Sequence, residues 1–246
     1  MNNWKKRLYD AYISTGQAAG KVKQEASLAL NNYPYYKKLI KEHLPTRKDI
    51  SIADLACGHG SLIYCLQQFG FQNVKGVDIS PEQIKLAHDL GIKGATCLDM
   101  SSFLKEQREA FDVVFLMDIL EHLEKGELLA FLDQVYDSLR KDAIIIIHVP
   151  NAEGLFGMRI RYGDLTHENC FTSRSIEQAL NACGFHHVKC FEDKPVIHGA
   201  KSLIRRILWE LLTASSRLLL TAETGFTHHI LSQNMLVVAK KSVATT

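Results

Sequence analysis

The sequence predicts an α/β fold with a doubly wound, mostly parallel sheet covered by helices on both faces. From residue 50 onward, short apolar runs alternate with amphipathic stretches whose apolar residues recur at helical spacing. The runs are almost continuously apolar, as strands buried on both faces must be. The chain of 246 residues, 46% hydrophobic and 23% charged, is long enough for one large core.

The runs fall at 50–56, 74–78, 95–98, 111–117, 143–149, 188–191 and 235–239. Helical patterns such as 81–90 and 125–139 separate the first five, and right-handed crossovers then wind the sheet in both directions. Residues 1–48, rich in Lys and Tyr, read as an N-terminal helical cap or lid, and 49–246 as the main domain. An insertion at about 195–232 stands between the last two runs. In it, Leu203, Ile204, Ile207, Leu208, Leu211, Leu212, Leu218 and Leu219 form a broad apolar stripe interrupted by Lys201, Arg205, Arg206 and Arg217.

The first run leads into Asp54-Leu55-Ala56-Cys57-Gly58-His59-Gly60 and then a helix. Gly58 and Gly60 allow a tight turn and a close approach to a ligand, because no Cβ intrudes. A dinucleotide fingerprint needs a third small residue, and Ile63 stands there. Asp54, at the strand end, would repel a phosphate and attract an ammonium or sulfonium group. That favours S-adenosylmethionine (SAM) over NAD. Asp78 ends the second strand, placed to accept bonds from ribose hydroxyls. Asp99 ends the third, near an adenine amino group, and Asp118 ends the fourth, near the methionine part. A single strand-end Asp reads equally well as a helix cap. Four in register with the glycine turn favour a ligand in the crevice at the carboxyl edge.

With DLACGHG (54–60), GVDIS (76–80), CLDM (97–100), FDVVFLMDILEHL (111–123) and HVPN (148–151), the chain resembles the class I SAM-dependent methyltransferases. The Ala182-Cys183-Gly184-Phe185 turn also fits, and the resemblance covers about 50–192 and 233–241. It implies a seven-stranded sheet of order 3-2-1-4-5-7-6 with the last strand antiparallel. Asp54, Gly58 and Gly60 would hold the methionine part, Asp78 the ribose, and Asp99 with Met100 the adenine, with Ala56 and Ile79 also among the cofactor-binding residues. Ala56 departs from the pattern, which more often has Gly there. Tyr12, in a lid of residues 1–24, is placed to reach the cofactor.

The acceptor is less legible. Transfer to a hydroxyl requires its proton to leave, which calls for a base near neutrality or a metal ion. Glu121 and His122 follow the fourth strand, and Asp164 and His167 lie in the polar loop 159–168 after the fifth. His148 sits within an Ile run and reads as a packed, hydrogen-bonded histidine. Asp164 and His167, with Glu168, read as a hydrogen-bonded loop staple as readily as a catalytic group; a metal set is the minor reading, and no metal is assigned.

The segments RIRYGDLTHENCFTSRSIEQALNACGF (159–185) and HGAKSLIRRILWELL…AETGF…SQNMLVVAKK (198–241) are similar to methyltransferases encoded with bacterial surface-polysaccharide assembly enzymes. That resemblance implies a sugar hydroxyl of a glycan, or of its nucleotide- or lipid-linked precursor, as acceptor. The alternatives are a quinone-like or other small-molecule acceptor, or SAM binding without turnover. With 29 basic against 27 acidic residues, and no Asn/Asp-Pro-Pro-Tyr/Phe motif, a nucleic-acid partner is not expected.

None of the six cysteines forms a C-x-x-C pair, which points to the reducing cytosol. The basic start, 1–7, is followed by a mixed stretch rather than an apolar one, so a signal peptide is not expected. For the insertion three roles are open: covering the core or pairing two copies, closing over the acceptor, or peripheral membrane contact through 198–221.

Overall fold

A computed structural model describes residues 32–242. Its strands are β1 (Ile52–Leu55), β2 (Val74–Asp78), β3 (Ala95–Cys97), β4 (Phe111–Met117), β5 (Leu139–Pro150), β6 (Phe185–Glu192) and β7 (Asn234–Lys241). They form one sheet of order β3-β2-β1-β4-β5-β7-β6. β7 runs antiparallel to both β5 and β6, and the other pairings are parallel. Order and directions agree with the expectation from sequence.

The helices are α1 (Tyr33–His43), α2 (Ser61–Gln68), α3 (Pro81–Asp89), α4 (Met100–Leu104), α5 (Lys125–Ser138), α6 (Gly157–Arg161), α7 (Ser173–Ala182) and α8 (Ala200–Thr224), with a 3-10 turn at Leu120–His122. Side chains alternate across the pleat, so β4 sends Val114 and Leu116 to one face and Val113 and Phe115 to the other. The first pair packs with Phe131, Leu132 and Val135 of α5 and Ile176 and Leu180 of α7. The second packs with Leu39 and Ile40 of α1, Leu62 and Leu66 of α2, and Ile84 and Ala87 of α3. A sheet buried on both sides explains why its central strands read as unbroken apolar runs.

Two strands begin earlier than the apolar pattern. β5 starts at Leu139, which pairs with Phe111 across a register shift, so the exposed Arg140–Asp142 are carried into the strand by pairing rather than hydrophobicity. β6 starts at Phe185 and is half exposed along its length, as the last strand of a sheet can be. Of the N-terminal cap only α1 is described. Residues 1–31, with Tyr12 and the lid segment, lie outside the described residues.

Candidate active site at the carboxyl edge

The turn after β1 is held in shape by Asp78. Gly58 N donates to Asp78 Oδ2 and Ser80 N to Asp78 Oδ1, each at 2.8 Å. Cys57 N donates to Val77 O at 2.9 Å, and Gly60 N returns to Cys57 O at 2.9 Å. Ala56, Gly58 and Gly60 adopt left-handed backbone at φ 55°, 55° and 80°. A Cβ on Gly60 would meet Ile92 Cγ2 at 3.0 Å. One on Gly58 would meet nothing nearer than Gln83 Oε1 at 3.9 Å, so the open side of the turn is at Gly58. Gln83 Oε1 is itself buried without a hydrogen-bond partner.

Beneath the turn, Asp54 is 2% exposed, and no donor among the described residues bonds its carboxylate. Burial and the Asp78 charge push its carboxyl up to about 8. Burial also raises Asp78, against the two backbone bonds it accepts. A buried carboxylate with no cation of its own, an open glycine cradle and an orphaned amide oxygen together fit a ligand carrying an ammonium, a sulfonium and further polar groups. Along the same edge, Ile79 is half exposed and Met100 packs partly buried against the core. Asp99 Oδ1 accepts from Ser102 N at 2.8 Å as the cap of α4, so the cap reading holds for this acid, whose carboxylate remains exposed.

Asp118 is the first residue past β4, in left-handed backbone at φ 57°. His148, its neighbour across the sheet edge, is buried between two acids. Its Nδ1 lies 2.5 Å from Asp118 Oδ1, and its Nε2 3.3 Å from Asp193 Oδ2. Burial alone would lower this imidazole, but the two carboxylates outweigh it and hold the group well above its usual value. Crowding would raise Asp118, yet His148 keeps it below the carboxylate range. The ring of Tyr35 stands edge-on to His148 at 5.8 Å. Burial, then the charges of Asp54 and Asp118, raise the Tyr36 phenol. α1 thus roofs this end of the crevice.

A second cluster joins the 3-10 turn to the loop after α6. Glu168 N and Asn169 N donate to Glu121 O at 2.7 and 3.0 Å, Asn169 Nδ2 bonds Leu123 O, and Arg161 clasps the carbonyls of His167 and Glu168. These bonds bring Glu121, His122 and His167 together, with one ligand atom from each lying within 4.8 Å of the others. The His122 and His167 rings meet edge to face at 4.7 Å. Thr166 Oγ1 donates to Asp164 Oδ1 at 2.6 Å and accepts from His122 Nδ1 at 2.9 Å, while His167 Nδ1 donates to Ile160 O at 3.0 Å. This network assigns the lone pair of both imidazoles to Nε2. Burial and the neighbouring His167 lower His122 to about 4. Glu121 is 1% exposed, with Oε2 unpartnered. Burial, reinforced by Asp118, raises its carboxyl.

The sequence-predicted residues therefore fall into two adjoining groups. Asp54, Ala56, Gly58, Gly60, Asp78 and Ile79 gather at the glycine turn, with Asp99 and Met100 following β3. Glu121, His122, Asp164 and His167 gather at the other cluster, and Asp118 stands between. Sequence reading did not find Asp193, Tyr35, Tyr36, Gln83 or Thr166. Only Asp193 carried a usable signal, an acid directly after a strand. The metal-competent set also differs from the one considered: Asp164 is taken up by Thr166, and Glu121 with His122 takes the place of Asp164 and Glu168.

A seven-stranded sheet of this order, with a glycine turn and acids at its carboxyl edge, has the class I fold of SAM-dependent methyltransferases. The chain belongs to the methyltransferase-domain family, whose model matches residues 29–189.

It is similar to the mouse small RNA 2'-O-methyltransferase, 30% identical over 137 residues, covering 49% of this chain and 33% of that protein. It is also similar to ajmaline N-methyltransferase from Rauvolfia serpentina, 30% identical over 110 residues, covering 42% of this chain and 37% of that one. The chain thus spans about a third of the length of these curated relatives. Among solved structures, a SAM-dependent methyltransferase from Archaeoglobus fulgidus superposes with TM-score 0.64 at 22% identity, covering 85% of this chain and 94% of that one. A Haemonchus contortus phosphoethanolamine N-methyltransferase 2 in complex with SAM gives 0.65 at 15%, covering 96% and 60%.

Proposed function

We propose that the protein transfers a methyl group from SAM to a sugar hydroxyl of a glycan or of its nucleotide- or lipid-linked precursor. The observation that carries the hydroxyl is Glu121, a buried carboxylate with an unpartnered oxygen, set beside two imidazoles at the edge where the cofactor crevice ends. When bound, SAM supplies an electrophilic methyl on its sulfonium. Asp54 draws the cationic methionine end, Gly58 admits the backbone of the turn close to it, and Asp78 meets the ribose. Tyr35 and Tyr36 exclude water from the far side. The acceptor's proton passes to Glu121 Oε2, whose raised affinity for protons suits a base near neutrality. His122 and His167 orient the hydroxyl through Nε2. The 2'-O specificity in the name of the mouse relative supports a sugar oxygen.

The same three donors carry a second reading. Two imidazole nitrogens and a carboxylate suit a first-row divalent cation, which would acidify the hydroxyl in place of the base. Nucleotide- and lipid-linked sugars, a quinone-like phenol and a small RNA are offered with SAM. Turnover of the sugars is expected, and turnover of only the phenol or the RNA overturns the acceptor. In Glu121→Gln and His167→Ala, turnover falls at least a hundredfold while S-adenosylhomocysteine binds within about twofold of the native chain. Unchanged turnover removes these residues from the chemistry. Loss on chelation, restored by Mn²⁺, selects the cation, and indifference to chelator selects the base.

A further inference from the structure

α8 is turned inside out. Part of its polar set faces the protein: Ser202 and Thr213 are buried, and Arg217 Nη2 binds both carboxylate oxygens of Glu192 at 2.6 and 2.7 Å. Glu210 is held by Lys194 at 2.8 Å and Arg206 at 2.9 Å. The leucine stripe faces outward instead, with Leu211, Leu212, Leu218 and Leu219 each 67–73% exposed. A helix of 25 residues, about 37 Å long, presenting one continuous apolar face to water marks an interaction surface.

The pattern on that face identifies the occupant. Ile204, Leu208, Leu211, Ser215, Leu218 and Ala222 follow one another at spacings of four and three, the heptad seam by which one helix packs along another. An antiparallel copy centred near residue 213 sets Ile204 against Ala222, Leu208 against Leu218 and Leu211 against Ser215, so large side chains meet small ones in two of the three layers. Arg205 and Glu223 lie on one edge of the face, because eighteen residues are five full turns. Both are exposed, and neither is ion-paired among the described residues. An antiparallel partner brings Arg205 opposite Glu223 at both ends of the pair, whereas a parallel one opposes like charges. Such a two-fold contact is self-complementary and closes after two subunits.

We propose that α8 is the surface on which two copies of this chain pair, antiparallel about the middle of the helix. Light scattering on the full chain should give twice its mass. Leu211→Glu should yield a monomer with native far-UV circular dichroism, since the side chain is two-thirds exposed within one copy, and with a melting temperature lowered only by the loss of pairing. Arg205→Glu and Glu223→Arg should each weaken the pair at least tenfold, and combining them should restore it. After oxidation, Leu212→Cys should cross-link to itself and Ala222→Cys should not, because only the middle of the helix meets its own copy. A native chain that is monomeric overturns the proposal, and one that is monomeric and floats with phosphatidylglycerol vesicles assigns the face to a lipid surface. Self-linking of Ala222→Cys overturns the antiparallel arrangement.

Discussion

Asp54 shows how far one side chain can be displaced from its solution chemistry. It sits at the end of a central strand with no donor among the described residues and the Asp78 carboxylate nearby, so the folded chain favours its protonated form. A folded value of about 8, above the ordinary 3.8, means that this group's contribution is fully present below pH 4 and lost as pH rises to 8. In that window the folded chain holds one proton more than the unfolded chain. The unfolding free energy therefore declines by about 1.4 kcal/mol per pH unit on this account. Asp54→Asn keeps the shape and removes the titration. Denaturant unfolding of the two chains from pH 5 to 9 should show their stability difference changing at that slope and flattening above 8. Parallel curves would mean that the carboxylate is solvated or paired in solution. A cationic ligand offsets the same penalty, so S-adenosylhomocysteine, through its ammonium, should bind the native chain more tightly than Asp54→Asn.

At the scale of elements, the glycine turn between β1 and α2 separates what the backbone needs from what a ligand needs. Gly60 is crowded by Ile92 and Gly58 is open, although both are left-handed. Gly58→Ala should thus cost only the backbone strain of a side chain at positive φ, about 1 kcal/mol. Its new methyl would project into the open space proposed for the cofactor, and calorimetry should show S-adenosylhomocysteine affinity down at least tenfold with the fold intact. Equal binding would put the cofactor elsewhere.

What the sequence disclosed follows the same division between local and distant. The alternation of runs and helices, the turn at Gly58 and Gly60 and the acid at or just past the end of each of four strands are local signals, and the sheet order brings them to one edge. The Glu121–His122–His167 cluster joins residues forty-five apart through backbone bonds from Glu168 and Asn169, which no periodicity encodes. Asp193 belongs to the site only because β6 and β7 return beside β5. Periodicity found the stripe on α8 but not its direction, since an apolar face on a helix reads the same whether it meets the core or another copy.

Over the whole molecule, the proposed ligand site is not one pocket in one element but a line across the edge of β3, β2, β1 and β4. A cofactor lying along that line would bridge strands whose loops are otherwise joined, among the described residues, by Asp78, the backbone bonds of the turn, Leu98 N to Asp78 O and Cys97 Sγ to Ile79 O. Binding should therefore stabilise the chain as a unit rather than order a single loop. With S-adenosylhomocysteine at a hundredfold excess over its Kd, linkage adds about 2.7 kcal/mol to the folded state. For a domain of this size that is a rise in melting temperature of about 5–10 °C. Asp78→Ala should remove the rise, because it takes away both the ribose contact and the carboxylate that shapes the turn. Differential scanning fluorimetry on the two chains separates the outcomes. A rise in the native chain and none in the variant supports the cofactor line across the sheet. No rise in the native chain leaves Asp78 and Asp99 as caps and turn-formers alone. An equal rise in both shows that the ligand does not depend on the end of β2.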